Sequence, residues 1–217
     1  MRKSNQGLQF GLINDIHWSQ AGTEYATIFP TIVSSLNIHN LSFVVVNGDS
    51  FHDDASDVAN FLIEINKLNC PWHWVWGNHD ATVRVDLEAS LTAAGVNHTL
   101  PRMISYGGYN IYLIDSSETS SDMSAAITYL QTELAANIEP SIVITHYSLI
   151  GTQAYIMGDK IDFMDSIRQF ENVKAIICAH DHITNAEITE RGIRVIQGKN
   201  AGGSGGQYPG YKIIHIT

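Results

Sequence analysis

Short apolar runs dense in β-branched and aromatic residues punctuate this chain, and their spacing constrains its fold more than any other feature. They are Leu8 to Ile13, Phe43 to Val46, Trp72 to Trp76, Ile111 to Ile114, Ile142 to Thr145, Lys174 to Cys178, Ile193 to Ile196 and Tyr211 to Ile216. Runs of this length without polar alternation read as strands buried on both faces. Between many of them lie segments of helical period: Tyr25 to Asn37, Asp57 to Leu68, Asp86 to Ala94, Asp122 to Ala136 and Asp162 to Phe170, several led by Asp as a candidate cap. This alternation predicts an α/β fold. After Ala179 the pattern changes, because strands follow one another through short turns such as Arg191 to Arg194 with no helix between. A mixed sheet or a two-sheet sandwich is therefore expected. The glycine-rich segment from Gly198 to Gly210 reads as a hairpin loop, with a substrate-facing lid as the alternative.

With 217 residues and 44% hydrophobic content, the chain is expected to bury one core as a single domain, 1–217, with no substantial cap. A net charge of −10 and scattered basic residues argue against a nucleic-acid polymer or an anionic membrane surface as partner. Cys70 and Cys178 each lie in or beside an apolar run, which suits small buried hydrophobes in a reducing compartment. The first apolar run is broken by Gln9, Gly11 and Asn14, unlike a signal sequence, and no stretch is long enough to span a bilayer. A cytoplasmic location is the expectation, and oligomeric state is left open.

In open α/β sheets the site lies beyond the carboxyl ends of strands. There the chain repeats one chemistry. The first run is followed by Asp15 and His17, the second by Asp49, His52, Asp53 and Asp54, and the third by Asn78, His79 and Asp80. The fifth is followed by His146 and the sixth by His180 and His182. Residues two apart in an extended segment point the same way, so Asp15 with His17, and His180 with His182, are each expected to share one ion. Mixed carboxylate and imidazole donors suit Mn, Fe, Zn or Ni better than Ca or Mg. Neither cysteine belongs to the set, which argues against a structural zinc site.

In this order the residues resemble the signature of the calcineurin-like metallophosphoesterase family: Asp15-Ile16-His17, Gly48-Asp49, Gly77-Asn78-His79-Asp80, His146, and Ala179-His180-Asp181-His182. The flanking text around Trp74 and Ile176 looks like the phosphodiesterase branch that includes bacterial cyclic-nucleotide phosphodiesterases. The resemblance implies a four-layer α/β/β/α sandwich with two mixed β-sheets and a site holding two metal ions. It implies one ion on Asp15, His17, Asp49 and His182 and the other on Asp49, Asn78, His146 and His180. Asp49 would bridge, a hydroxide held between the ions would attack phosphorus, and His79 would act as the catalytic acid. Asn78 and His79 would also touch substrate. Asp80 would orient the loop.

The sequence departs from the family pattern in places that bear on substrate. Ala179 stands where Gly is usual. Where many family phosphatases carry an Asp and then an Arg after the bridging carboxylate, this chain has His52, Asp53 and Asp54. Asp53 is thus a candidate partner for His79, and His52 a tentative substrate-lining residue. Lack of that Arg favours a monoanionic phosphodiester over a dianionic monoester, unless Arg84 or Arg102 reaches the site. The alternatives are a phosphomonoesterase or nucleotide pyrophosphatase on the same site, and a non-catalytic binding module that keeps the fold. A nuclease is disfavoured by the acidic balance. His39, His73, His98 and His215 fall outside the set and read as surface or satisfied core residues. Tyr147, Tyr155 and Tyr208 read as packing or loop residues, with base stacking as the alternative.

Overall fold

Three consecutive valines, Val44 to Val46, have no solvent exposure at all, which requires cover on both faces of the strand that carries them. The computed structural model describes residues 7–18, 25–117, 122–151, 157–202 and 210–216. Within them β1 (Leu8–Ile13), β2 (Val44–Asn47), β3 (Trp72–Val75) and β10 (Lys212–Ile216) form a four-stranded sheet in the order β10-β1-β2-β3. The pairs β1–β2 and β2–β3 are parallel and β1–β10 is antiparallel. A second, six-stranded sheet holds β4 (Arg102–Tyr106), β5 (Tyr109–Leu113), β6 (Ser141–Ile144), β7 (Val173–Cys178), β8 (Glu187–Glu190) and β9 (Ile193–Gln197) in the order β4-β5-β6-β7-β9-β8. It is parallel at its centre and antiparallel at both edges.

Strand side chains alternate, so each sheet has two apolar faces to bury. Leu8, Phe10, Leu12, Phe43 and Val45 of the first sheet meet Ile111, Leu113, Ile142, Ile144 and Ile177 of the second, and Phe10 stacks on Phe43 at 4.7 Å. The outer face of the first sheet, with Val44, Val46, Trp74 and Trp76, is covered by α1 (Tyr25–Leu36), α2 (Val58–Ile65) and α4 (Arg84–Ala93) through Phe29, Phe61 and Leu87. That of the second, with Val143, Ile176 and Val195, is covered by α5 (Ser124–Ala136) and α6 (Lys160–Ile167) through Leu130 and Phe163. Each such side chain contributes about 1.5–3 kcal/mol on burial. The result is the expected α/β/β/α sandwich.

The apolar runs match the observed strands to within a residue or two at most ends. The sequence reading omitted β4 and β8, the two edges of the larger sheet, where half-exposed residues replace the apolar run. The Gly77-Asn78-His79-Asp80 motif itself opens α3 (Asn78–Thr82), a five-residue helix with Gly77 at its N-cap. Asp57 precedes α2 without capping it, because its carboxylate accepts hydrogen bonds from Trp18 Nε1 and Asn60 Nδ2. Most of the glycine-rich segment, with Tyr155 and Tyr208, lies outside the described residues. Among the described residues, no helix is long and apolar enough to cross a membrane.

Candidate metal centre

The chain leaves its parallel strands through unusual backbone. Asp15 (φ 49°), His17 (φ 50°), Asp49 (φ 48°), Asp53 (φ 57°) and His180 (φ 68°) all occupy the left-handed region, which costs non-glycine residues energy and clusters at functional sites. Hydrogen bonds across the strand ends hold them there. The Asp15 amide donates to Gly48 O at 3.0 Å and the His17 amide to Asp49 O at 2.8 Å. The His79 amide donates to Asp49 Oδ1 at 2.9 Å, and the His180 amide to Asp15 Oδ1 at 3.2 Å. Two glycines make room. A Cβ on Gly48 would lie 2.2 Å from His146 Nδ1, and one on Gly77 would lie 2.0 Å from the Asp49 amide nitrogen.

These loops bring the sequence-predicted donors into two groups that share Asp49. Asp15, His17, Asp49 and His182 form one, and Asp49, His146 and His180 the other, with donor atoms in each within 4.8 Å of one another. In the first, His17 Nε2 lies 3.0 Å from His182 Nε2 and 3.9 Å from Asp49 Oδ2, and His182 Nε2 lies 3.5 Å from Asp15 Oδ1. In the second, His146 Nε2 lies 3.3 Å from Asp49 Oδ2 and 3.2 Å from Asn78 Oδ1. Asp15, His17, Asp49 and His146 are all buried. The buried carboxylates facing imidazole nitrogens make a donor set able to hold metal ions. Spacing alone allowed His180 and His182 to share one ion, whereas the resemblance divided them; their rings fall in different groups, and the backbone at His180 is left-handed rather than extended.

Burial and charge pull the donors in opposite directions. Burial pushes His17 and His180 down to about 4, which keeps their lone pairs open. Burial would lower His146 too, but the Asp49 carboxylate beside it outweighs that and raises it to about 9. Burial likewise works to raise Asp49, yet His146 and then His17 hold it below the usual carboxylate range. His146 Nδ1 faces the Asn47 carbonyl at 3.1 Å, an arrangement that turns Nε2 toward Asp49.

Outside the two groups, His79 Nδ1 lies 3.1 Å from both oxygens of Asp53, whose carboxylate also accepts from Thr82 Oγ1 at 2.7 Å. Burial works to raise Asp53, and the bonds from Thr82 and His79 hold it lower. Asp80 is fully buried and accepts from the Phe51 and Gly77 amides at 2.9 and 3.0 Å, tying the second strand-end loop to the third. Burial and then Asp49 raise it to about 8. His52 reaches His17, with the two Nδ1 atoms 3.0 Å apart, and stacks on His79. The Tyr147 ring packs on His180 at 4.3 Å.

Sequence reasoning missed Gln197 at the end of β9. Its amide is fully buried, accepts from Ser148 Oγ at 2.8 Å and Cys178 Sγ at 3.0 Å, and donates to Ala179 O at 2.5 Å and more weakly to Asp181 O at 3.4 Å. It thereby joins the loop carrying His146 to the loop carrying His180 and His182. A lone Gln at a strand end has no motif that would mark it. Neither arginine named from the sequence joins the donors: Arg84 pairs with Asp115 and Glu88 and lies over the Trp76 ring, and Arg102 donates to Asn97 O and Thr99 O.

The two-sheet sandwich thus carries its Asp and His donors at the carboxyl ends of its strands. The sequence matches the calcineurin-like phosphoesterase family over residues 8–184, and the chain belongs to that family. No curated protein matches it. Among solved structures it is similar to a dimetal phosphatase from Danio rerio at 15% identity and a TM-score of 0.76, covering 96% of this chain and 92% of that one. A purple acid phosphatase from yellow lupin aligns at 13% identity and a TM-score of 0.67, over 88% of this chain and 43% of that one. An archaeal phosphodiesterase aligns at 14% identity and a TM-score of 0.56, over 96% of this chain and all of that one. At these identities the likeness speaks for the fold.

Proposed function

We propose that this chain is a binuclear metal-dependent phosphodiesterase that hydrolyses a small phosphodiester, a cyclic nucleotide being one candidate. The observation that carries this reading is the pair of donor groups sharing Asp49, beside a His79 ring that is oriented by Asp53 and belongs to neither of those two groups. In this reading Asp15, His17, Asp49 and His182 hold one cation, and Asp49, Asn78, His146 and His180 the other. A bound pair supplies Lewis acidity to the phosphoryl oxygens and acidifies the attacking water.

The protein's own groups do the rest. The Asp53 carboxylate accepts a hydrogen bond from His79 Nδ1–H and so orients the ring and steadies its protonated form. His79 Nε2 then hands its proton to the leaving oxygen as the P–O bond breaks. The Asn78 side chain, with Oδ1 3.2 Å from His146 Nε2, would hold the cation and touch the phosphate. The diester is favoured because Arg84 and Arg102 are engaged elsewhere, and a monoanion needs a fixed guanidinium less than a dianion does.

The same fold serves a Plasmodium protein described as the anchor in the inner membrane complex, so fold alone does not separate enzyme from binding module. The full donor set favours the enzyme. The reading also includes a cytoplasmic location, which the free thiols Cys70 and Cys178 support. Titrating chelator-stripped protein with Mn(II) while following bis-p-nitrophenyl phosphate tests it. Activity is expected to rise with the second equivalent of metal; activity complete at one equivalent, or none at two, would count against it.

A further inference from the structure

The His17 ring has two faces of different chemistry. Its Nε2 stands among the donors of the first group, 3.0 Å from His182 Nε2 and 3.9 Å from Asp49 Oδ2. Its Nδ1 stands 3.0 Å from Nδ1 of His52. Two imidazole nitrogens at that separation share one proton, so one donates and the other accepts. An imidazole that gives its Nε2 lone pair to a cation keeps its proton on Nδ1. His17 is then the donor and His52 Nδ1 the acceptor. A neutral imidazole whose Nδ1 accepts carries its own proton on Nε2. The half-buried His52 ring stacks on His79, with centroids 4.6 Å apart and planes 23° apart, so this proton lies beside the acid of the proposed reaction.

We infer that His52 has two jobs: its Nδ1 accepts the hydrogen bond from His17 Nδ1–H and so positions that ligand, and its Nε2–H donates to a phosphate oxygen of the substrate. The inference rests on the phosphodiesterase reading for its second half alone. It deepens that reading, because one neutral N–H complements a single nonbridging oxygen of a monoanionic diester. A guanidinium, with its forked donors and full charge, suits a dianion better. His17, His52 and His79 also bring ring nitrogens within 4.8 Å of one another. A third cation among them would need both nitrogens of His17 as ligands, and the proton assigned to Nδ1 excludes that.

Two substitutions separate the jobs, because Asn at this position offers an oxygen where Nδ1 stands and Gln offers an amide N–H where Nε2 stands. His52→Asn is expected to keep Zn2+ affinity within about threefold while raising KM for bis-p-nitrophenyl phosphate about tenfold, the size of one neutral hydrogen bond. His52→Gln is expected to do the reverse, weakening Zn2+ binding about 10–100-fold, as loss of a ligand's hydrogen-bond partner does. In the Zn2+-loaded protein, two-bond 15N–1H correlations are expected to find the His52 proton on Nε2. A proton on Nδ1, a parallel change in both variants, or a stoichiometry of three metals that drops to two in both would overturn the inference. If the wild-type protein cleaves no diester, the functional reading fails, while the tautomer and metal-affinity results still judge the His17–His52 pair.

Discussion

His146 Nε2 lies 3.3 Å from Asp49 Oδ2, and this contact joins the two sheets at the carboxyl ends of their strands. Asp49 leaves β2 of the smaller sheet and His146 leaves β6 of the larger, so the donor groups form only when the sandwich is closed. Asp49→Asn removes the charge both groups share. Metal content is expected to fall below two per chain, and kcat by at least the roughly 10²–10³-fold that loss of one strong transition-state contact produces. Elemental analysis beside turnover checks this.

His79 stands apart from the two Asp49-sharing groups and is held by Asp53. His79→Ala is expected to keep both metals and lose about 10²–10⁴-fold in kcat, the range for general acid catalysis. Asp53→Asn should give a smaller loss in the same direction, since it leaves the ring but not its orientation. Metal loss in either variant would contradict the assignment.

Gly48→Ala drives a methyl group to 2.2 Å from His146 Nδ1 at a φ of 77°. Overpacking of this kind costs about 1–3 kcal/mol, and the left-handed backbone adds to it. Lower stability in urea and displaced His146 are both expected, so metal affinity should drop even in the folded fraction. Gly95→Ala, where a Cβ meets nothing within 4 Å, is the control for backbone strain alone.

Gln197→Leu removes the amide that donates to the Ala179 and Asp181 carbonyls and accepts from Ser148 Oγ and Cys178 Sγ, at about 0.5–1.5 kcal/mol for each hydrogen bond lost. Chemical denaturation is expected to register that loss. Because the amide ties together the loops of His146 and His180, weaker metal binding well below the melting temperature should accompany it. Unchanged metal affinity would make Gln197 a fold residue only.

Burial, with Arg102 adding to it, pushes His73 down to about 4 from its usual 6.5. The folded state therefore resists a proton that the unfolded chain takes up. Stability contributed by His73 is intact above pH 6.5 and declines as pH falls from 6.5 toward 4. His73→Phe should flatten this slope. Urea unfolding of metal-free protein at pH 7.5 and pH 5 measures it, and equal slopes for variant and wild type would contradict the sign.

The parts of the fold legible in the sequence were those whose burial is two-sided. Val44 to Val46 and Ile142 to Ile144 announce themselves because water is excluded from both faces. The edge strands β4 and β8 carry half-exposed residues such as Met103 and Ile188, and pairing through a turn, which leaves no apolar run, defines them. The donors were legible because each follows a readable strand. Their partition was not legible from spacing, which put His180 and His182 on one ion, but the family resemblance already divided them as the two donor groups do. His52 and Gln197 acquire their roles from residues 35 and 16 or more positions away, which spacing along the chain does not encode.

The most direct test of the central claim is kcat/KM for bis-p-nitrophenyl phosphate against p-nitrophenyl phosphate, on metal-stripped protein resupplied with Mn, Fe, Zn, Ni or Mg. A binuclear phosphodiesterase without a site guanidinium predicts preference for the diester with a transition metal and little activity with Mg. Preference for the monoester, or equal turnover of both, would contradict it.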